Sequence, residues 1–342
     1  MLFDILKIKE IYSDLPENYP KGILRLGKEL NSNLLVCENN IATEVLKSDN
    51  FQSVNLVNIS VTHDSDEKFL SSVLDHFSKT PLFLNGLKHI DARKKVLRLY
   101  ELINQDLDDW IEDFSNKYIA KLDLIKYDPI FLVDDFIQSI FKKIIANQIK
   151  VMPEEIPDLP GELLNNIVPN KVIFEPINKR LGALNAFIES RYKELGKDPA
   201  DAWALISVPV MGYEPLLASL VYGLLNAPKN SKWDENELLI KAAAVSLLIR
   251  FAKEDIELAN FSFKKDQIIF VSPFLANFHD DFKKENSLEF GYGRKLCPGR
   301  KISIKITNKF FKAFYNNQKI KIQFENTLKE RRNVLKFKHR KY

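Results

Sequence analysis

Apolar residues recur three and four positions apart along most of this chain, which is the spacing of amphipathic helices. Three intervals with this spacing, 91–122, 128–149 and 177–195, predict long helices, and segment 302–318 predicts another one near the C-terminal end. The proline-rich stretch 152–160 interrupts the pattern and predicts a loop. The hydrophobic pattern is therefore that of a mainly helical chain.

A longer apolar segment lies between Asp198 and Pro228. Asp198 followed by Pro199 is a helix start signal, because aspartate caps the first amides and proline is tolerated in the first turn. The segment is apolar on all sides, which predicts a buried helix. Pro209 and Pro215 each remove a backbone donor and clash with the preceding turn. We therefore expect a long, buried and kinked central helix.

Alternation of apolar and polar residues is confined to short segments. Residues 257–274 alternate and are rich in Phe, Ile and Val, which predicts a small β hairpin or meander. Residues 33–51 predict a short strand, a turn at Glu38–Asn40 and a helix that ends near Asp49. The fold class is therefore mainly α with a small β region (α+β). Because no shift in composition marks a boundary, we expect a single domain over residues 1–342.

Composition adds the environment of the protein. The 342 residues are 45% hydrophobic and 28% charged, with a net charge of only +4, which favours a soluble globular protein and does not favour a nucleic-acid partner. The two cysteines, Cys37 and Cys297, cannot form a disulfide framework, which indicates a reducing compartment. We expect a cytoplasmic protein without a membrane span, since neither a signal-peptide pattern nor an apolar run of membrane length is present.

The stretch EFGYGRKLCPGRKIS, residues 289–303, differs from the rest of the chain because three glycines surround its one cysteine. Glycines permit positive φ and let the backbone approach a flat ligand closely. The run after Pro298 predicts a helix, so Cys297 would lie near a helix N-terminus, where the helix dipole favours a thiolate.

A thiolate held in this way has three common uses. A nucleophile requires a histidine base, and the sequence shows none that is recognisable as its partner. A zinc site requires further Cys or His residues at set spacings, which the sequence lacks. A lone thiolate with a glycine platform and basic neighbours suits the axial ligand of a haem.

At these residues the chain resembles the cytochrome P450 superfamily, whose haem-binding loop has this pattern. The matching positions are Phe290, Gly291, Gly293, Cys297 and Gly299. The resemblance implies a P450-like fold and a haem b cofactor with Cys297 as the proximal iron ligand. It also implies a haem propionate contact at Lys295, where the family usually has Arg or His, with Arg294 adjacent.

Two further segments extend the resemblance to roughly residues 30–315. His89 and Arg93 match an HxxxR element that reaches one propionate, and Arg250 in IRFAKEDIEL matches an arginine that meets the other. The chain is shorter than usual for the family, and the missing length lies before the central helix and before the cysteine loop.

Two other family elements are altered. The ExxR motif, which supports the cysteine loop, would fall at Glu237, but Ile240 stands where its arginine is expected, and the neighbouring Lys241 is the candidate substitute. The acid and threonine beside the iron correspond here to Glu214 and Pro215, so the acid remains and the hydroxyl is lost. The family's fatty-acid peroxygenases also have proline at this place.

The central helix supplies the candidate distal residues. Glu214 is the candidate acid-base group, and Gly212 is expected to leave room over the iron. The alternative is that Glu214 faces away and only hydrogen-bonds backbone freed by the proline. The candidate apolar distal wall consists of Phe83, Leu84, Val210, Met211 and Tyr213.

Three functions agree with these residues. The first is monooxygenase-type oxidation of a small organic substrate, with a ferredoxin docked on Arg294, Arg300 and Lys301. The second is a peroxide-using peroxygenase, or a redox-neutral isomerase or dehydratase. The third is a haem-binding relative without catalysis.

Overall fold

The computed structural model describes residues 23–25, 33–53, 70–121, 129–161, 163, 171–226, 239, 245, 247–277 and 287–317. Its helices are α1 Asn39–Lys47, α2 Ser71–Lys79, α3 Gly86–Ala120, α4 Pro129–Ile149, α5 Lys171–Glu194, α6 Ala202–Asn226, α7 Pro273–Asn277 and α8 Arg300–Asn316. Its strands are β1 Ile23–Arg25, β2 Leu34–Val36, β3 Phe51–Ser53, β4 Leu248–Ala252, β5 Ile256–Leu258, β6 Phe261–Phe263 and β7 Ile268–Val271.

The chain divides into two compact units. The first, called the β-rich unit, is drawn from Met1–Lys95, Val168–Lys171 and Asn236–Pro298. The second, called the helical unit, is drawn from Val96–Ile167, Val172–Glu235 and Gly299–Tyr342. The single domain expected over the whole chain stays a prediction.

A five-stranded sheet organises the β-rich unit. The strand order is β1-β2-β7-β4-β3, and the pairing of β2 with β7 is parallel while the other three pairings are antiparallel. Strands β5 and β6 form a separate antiparallel hairpin. The hairpin or meander predicted within 257–274 is thus confirmed.

Alternation along β2 divides the core of this unit between the two faces of the sheet. Leu34 and Val36 join one buried cluster with residues of α1, and Leu35 joins a second cluster with Phe270 and Leu275. This is the period-two placement expected of a strand. The strand and helix predicted within 33–51 are confirmed, and the helix ends at Lys47.

Helix α6 in the helical unit is the predicted central helix. Its first nine residues, 202–210, are all buried. The carboxylate of Asp198 accepts the Ala200 N–H at 2.9 Å and caps the 3-10 turn before the helix. Pro209 and Pro215 both lie inside the helix. The kink stays a prediction.

Among the described helices, Pro199–Leu224 alone is long and apolar enough to cross a membrane by length and composition. Of its most apolar window, 61% is buried inside the protein. A core helix of a soluble protein has the same property, so this helix is weak support for a membrane span.

Candidate cofactor site

The cysteine loop of the β-rich unit is closed by its own backbone. The Gly291 N–H donates to the Leu288 carbonyl at 2.8 Å, and the Leu296 N–H donates to the Gly293 carbonyl at 3.1 Å. The Cys297 N–H donates to the Phe290 carbonyl at 2.7 Å. These bonds hold Cys297 at the end of a compact turn, with its side chain partly exposed.

Two glycines are required by the conformation of this loop. Gly291 has φ +75° and Gly293 has φ +63°, in the left-handed region that favours glycine. A Cβ on Gly293 would lie 3.4 Å from the Cα of Lys47 at the end of α1. The loop therefore rests directly on the backbone of α1, and Arg294 adds an ion pair with Asp49 at 2.7 Å.

The third glycine of the motif belongs to the next helix. Gly299 is the N-cap of α8, and its carbonyl accepts the Ser303 N–H at 2.9 Å. The helix begins at Arg300, so the predicted helix after the cysteine is confirmed and starts three residues beyond Cys297.

Four basic side chains of the β-rich unit come together from three segments. His89 and Arg93 lie in the first two turns of α3, Arg250 lies on β4 and Lys295 lies in the cysteine loop. Burial and the positive charges of Lys295, Arg93 and Arg250 together lower the pKa of His89 to about 4, so its imidazole is neutral near pH 7 and the charge of the group comes from the other three residues. We call these residues the buried cation cluster.

The buried cation cluster is electrostatically strained. Burial and the charges of Arg250 and Arg93 lower the pKa of Lys295 to about 7. Arg250 is only 4% exposed, and its burial lowers its pKa to about 10. Within the described part of the chain, no carboxylate forms an ion pair with any of the four residues. Because a buried charge without a counter-ion is costly, this cluster fits an anionic ligand.

Lys295 has two fixed partners on the segment that leads into α3. Its ammonium group donates to the Leu84 carbonyl and, at 3.3 Å, to the Asn85 side-chain oxygen. Asn85 could not be identified from the sequence, since it lies 210 positions from Lys295 and belongs to no recognisable motif. The role of Leu84 as a wall residue stays a prediction, and its carbonyl accepts a hydrogen bond from Lys295.

Arg93 links the cluster to the cysteine. Burial lowers the pKa of Arg93, and the nearby Cys297 opposes this shift. A positive charge close to the sulfur favours the thiolate form, which is the form that binds metals. The cysteine and the cations therefore form one local site in the β-rich unit.

In the helical unit, the residues around Glu214 pack against α4. An added Cβ on Gly212 would lie 3.1 Å from the Phe141 ring, so this glycine leaves room for a neighbouring helix. The Tyr213 hydroxyl donates to the carboxylate of Asp134. Burial raises the pKa of Tyr213, and this hydrogen bond raises it further.

The Tyr213 ring covers Gly161 and its hydroxyl is bound to Asp134, and its assignment to the apolar distal wall stays a prediction. Val210 is fully buried and Met211 partly buried, and both stay candidates. In the β-rich unit, Phe83 packs on Phe77 with ring centroids 4.5 Å apart. Glu214 is half-buried, and its charge contributes to the raised pKa of Tyr213.

Arg294 and Lys301, two of the predicted docking cations, form ion pairs at the surface. Arg294 pairs with Asp49, and Lys301 lies 3.4 Å from Glu101. Arg300 is exposed at the start of α8. The altered ExxR positions, Glu237, Ile240 and Lys241, lie outside the described residues, so the substitution by Lys241 stays a prediction.

No known family profile and no curated protein sequence matches the chain. Among solved structures, it is similar to P450BioI in complex with a fatty-acyl-ligated acyl carrier protein (TM-score 0.65, 15% identity, 92% of each chain). It is also similar to CYP105P1 in complex with filipin I (0.64, 16%, covering 91% of this chain and 87% of that one). A third similar structure is cytochrome P450epoK bound to epothilone B (0.58, 15%, 86% of each chain).

These similarities cover most of the chain, and they show that it has the cytochrome P450 fold: mainly helical, with a small β region and a long central helix. At identities of about 15%, they establish the fold alone.

Proposed function

We propose that this protein is a haem-thiolate oxidoreductase that oxidises a small organic molecule. The observation that carries the proposal is the buried cation cluster beside the cysteine loop, which has no described carboxylate partner. Haem b has two propionate groups, and the cluster offers buried positive charge for both. When bound, a thiolate-ligated haem supplies the activation of oxygen or peroxide.

The residues present fit this group in charge and in shape. Cys297 would ligate the iron, with its backbone fixed by Phe290. His89, Arg93, Arg250 and Lys295 would hold the propionates, and Lys295 has one ammonium proton left after its two fixed partners. Gly291 allows the loop backbone to turn without a side chain over the ligand.

Glu214 is the proposed proton carrier on the distal side, since a carboxylate can deliver or accept a proton near a reacting oxygen. Gly212 has no side chain, so it would let the backbone of α6 lie close to neighbouring groups. Glu214→Gln should depress turnover strongly. Unchanged turnover at unchanged haem content would remove Glu214 from the mechanism.

The oxidant has two candidates. Oxygen with electrons from a ferredoxin is the first, and Arg294, Arg300 and Lys301 are its proposed docking residues. Peroxide is the second, because Pro215 stands where the family has a threonine whose hydroxyl could relay a proton. Product formed with peroxide and without a reductase would exclude strict dependence on a redox partner.

A redox-neutral isomerase or dehydratase would need neither oxidant, and a haem-binding relative would form no product. We expect the protein to work in the cytoplasm.

The test is an absorption spectrum of the purified protein, first ferric and then reduced under carbon monoxide. A strongly red-shifted Soret band that Cys297→Ser abolishes is the expected result. A band at the position of a histidine- or thiol-ligated complex would show that the thiolate is not retained. Failure to bind haem after reconstitution would refute the proposal.

A further inference from the structure

Asn85 connects three elements of the β-rich unit, two through its side-chain amide and one through its backbone carbonyl. Its Oδ1 accepts the Ser53 N–H at 3.1 Å, and its Nδ2 donates to the Ser53 carbonyl at 3.2 Å. The same Oδ1 accepts a proton from Lys295 at 3.3 Å. Its backbone carbonyl accepts the His89 N–H at 3.4 Å, at the start of α3.

The geometry explains why an amide occupies this position. Strand β3 is at the edge of the sheet, and Ser53 is opposite Arg250 on β4. In an antiparallel pair, alternate residues point both backbone groups away from the partner strand. The Asn85 amide satisfies both groups of Ser53, because it has one acceptor and one donor side by side. It thus attaches the segment before α3 to the strand next to Arg250.

The amide also positions an ammonium group without neutralising it. Leu84 and Asn85 both offer uncharged oxygens to Lys295. An ammonium has three protons, so these two acceptors fix its direction and leave one proton for a ligand. A carboxylate at position 85 would instead act as an internal counter-ion.

We infer that Asn85 is a positioning residue that directs Lys295 towards an anionic cofactor group while leaving its charge uncompensated. This inference rests on the proposed function, because the anionic group is a haem propionate. It predicts that charge at position 85, and not only side-chain shape, controls cofactor affinity.

The first test compares Asn85→Asp with the wild type in titrations of the apoprotein with haem and with haem dimethyl ester. The ester has no propionate charge. We expect Asn85→Asp to weaken the binding of haem by about tenfold and the binding of the ester by less than about twofold. Asn260→Asp is the matched control, because Asn260 is exposed in a left-handed turn of the same unit. This substitution adds the same negative charge away from Lys295.

Equal losses for haem and ester, or no loss for haem, would overturn the inference. Wild-type protein that binds no haem would refute the proposed function instead, so the two failures are distinguishable.

A second test does not depend on the stability of the aspartate variant. Asn85→Ala should also weaken the binding of haem more than the binding of the ester, because Lys295 loses a fixed acceptor. In a Lys295→Met background, Asn85→Ala should change the affinities for haem and for the ester by the same factor. A preference that persists without Lys295 would contradict the positioning role.

Discussion

Two groups of basic residues in this protein have opposite surroundings. In the helical unit, lysines along α8 meet carboxylates of α3: Lys301 with Glu101 at 3.4 Å, Lys305 with Asp108 at 2.6 Å, and Lys309 and Lys312 with Glu112 at 2.6 and 2.5 Å. We call these residues the lysine row. In the β-rich unit, the buried cation cluster has no described carboxylate partner.

The difference separates a structural surface from a binding site. Partly exposed ion pairs such as those of the lysine row contribute little each, and they are complete without any ligand. Buried charges without a counter-ion raise the free energy of the folded protein until an anion neutralises them. The cluster is therefore the part of the molecule whose stability should depend on a cofactor.

The largest effect is expected from Arg250→Met. Removal of this buried guanidinium should lower the affinity for haem by roughly a hundredfold, since a charge-assisted contact is lost. The same change should stabilise the apoprotein by about 1 kcal/mol or more, because the buried charge is gone. Haem titration and urea unfolding of the apoprotein measure the two effects. Apoprotein that becomes less stable would contradict the proposed strain.

The next largest effect is a pH dependence of the stability of the apoprotein. The pKa of Lys295 is about 7 in the folded protein and near its ordinary value when unfolded, so between these values the unfolded chain binds more protons. Stability should therefore rise as the pH increases from about 7 to about 10, by on the order of 2 kcal/mol after allowance for solvent screening. Urea unfolding at several pH values measures this rise.

Lys295→Met is the control for this pH dependence, and it should flatten the rise. Haem binding should show the opposite trend, because a propionate favours protonated Lys295. Affinity for haem should thus fall as the pH increases above about 7. A wild type and a Lys295→Met variant with identical pH profiles would contradict the assignment.

The smallest effect is expected in the lysine row. Lys309→Met should change Tm by less than about 3 °C and leave haem affinity unchanged. The pKa of Glu112 is lowered to about 2 by its hydrogen bonds to Lys309 and Lys312. The contribution of Glu112 to the stability of the folded protein is therefore present above the ordinary carboxyl pKa and is lost as the pH falls towards 2. A large change in haem affinity with Lys309→Met would remove the distinction between the two groups.

The sequence predicted this site as far as local motifs extend. Cys297 and its glycines are contiguous, and His89 and Arg93 are one helical turn apart, so their resemblance to short family motifs indicated a haem site. Asn85 could not be predicted, because its contacts to Ser53 and Lys295 depend on the tertiary fold.

The central helix shows a second limit. Because α6 is apolar on all sides, periodicity could not indicate that Gly212 and Tyr213 lie on the face that meets α4. Its bounds were easier to predict, since Asp198 and Pro199 mark its start by local chemistry.

The strand order of the sheet has a consequence for biosynthesis. Strand β7 lies between β2 and β4, yet it follows β2 by most of the chain. On a ribosome that adds about 5–20 residues per second, β2 would wait on the order of ten to fifty seconds for this partner. The nascent chain would expose an unpaired strand edge throughout that interval, which favours aggregation. Chaperone protection during this interval should therefore affect how much folded protein a cell obtains.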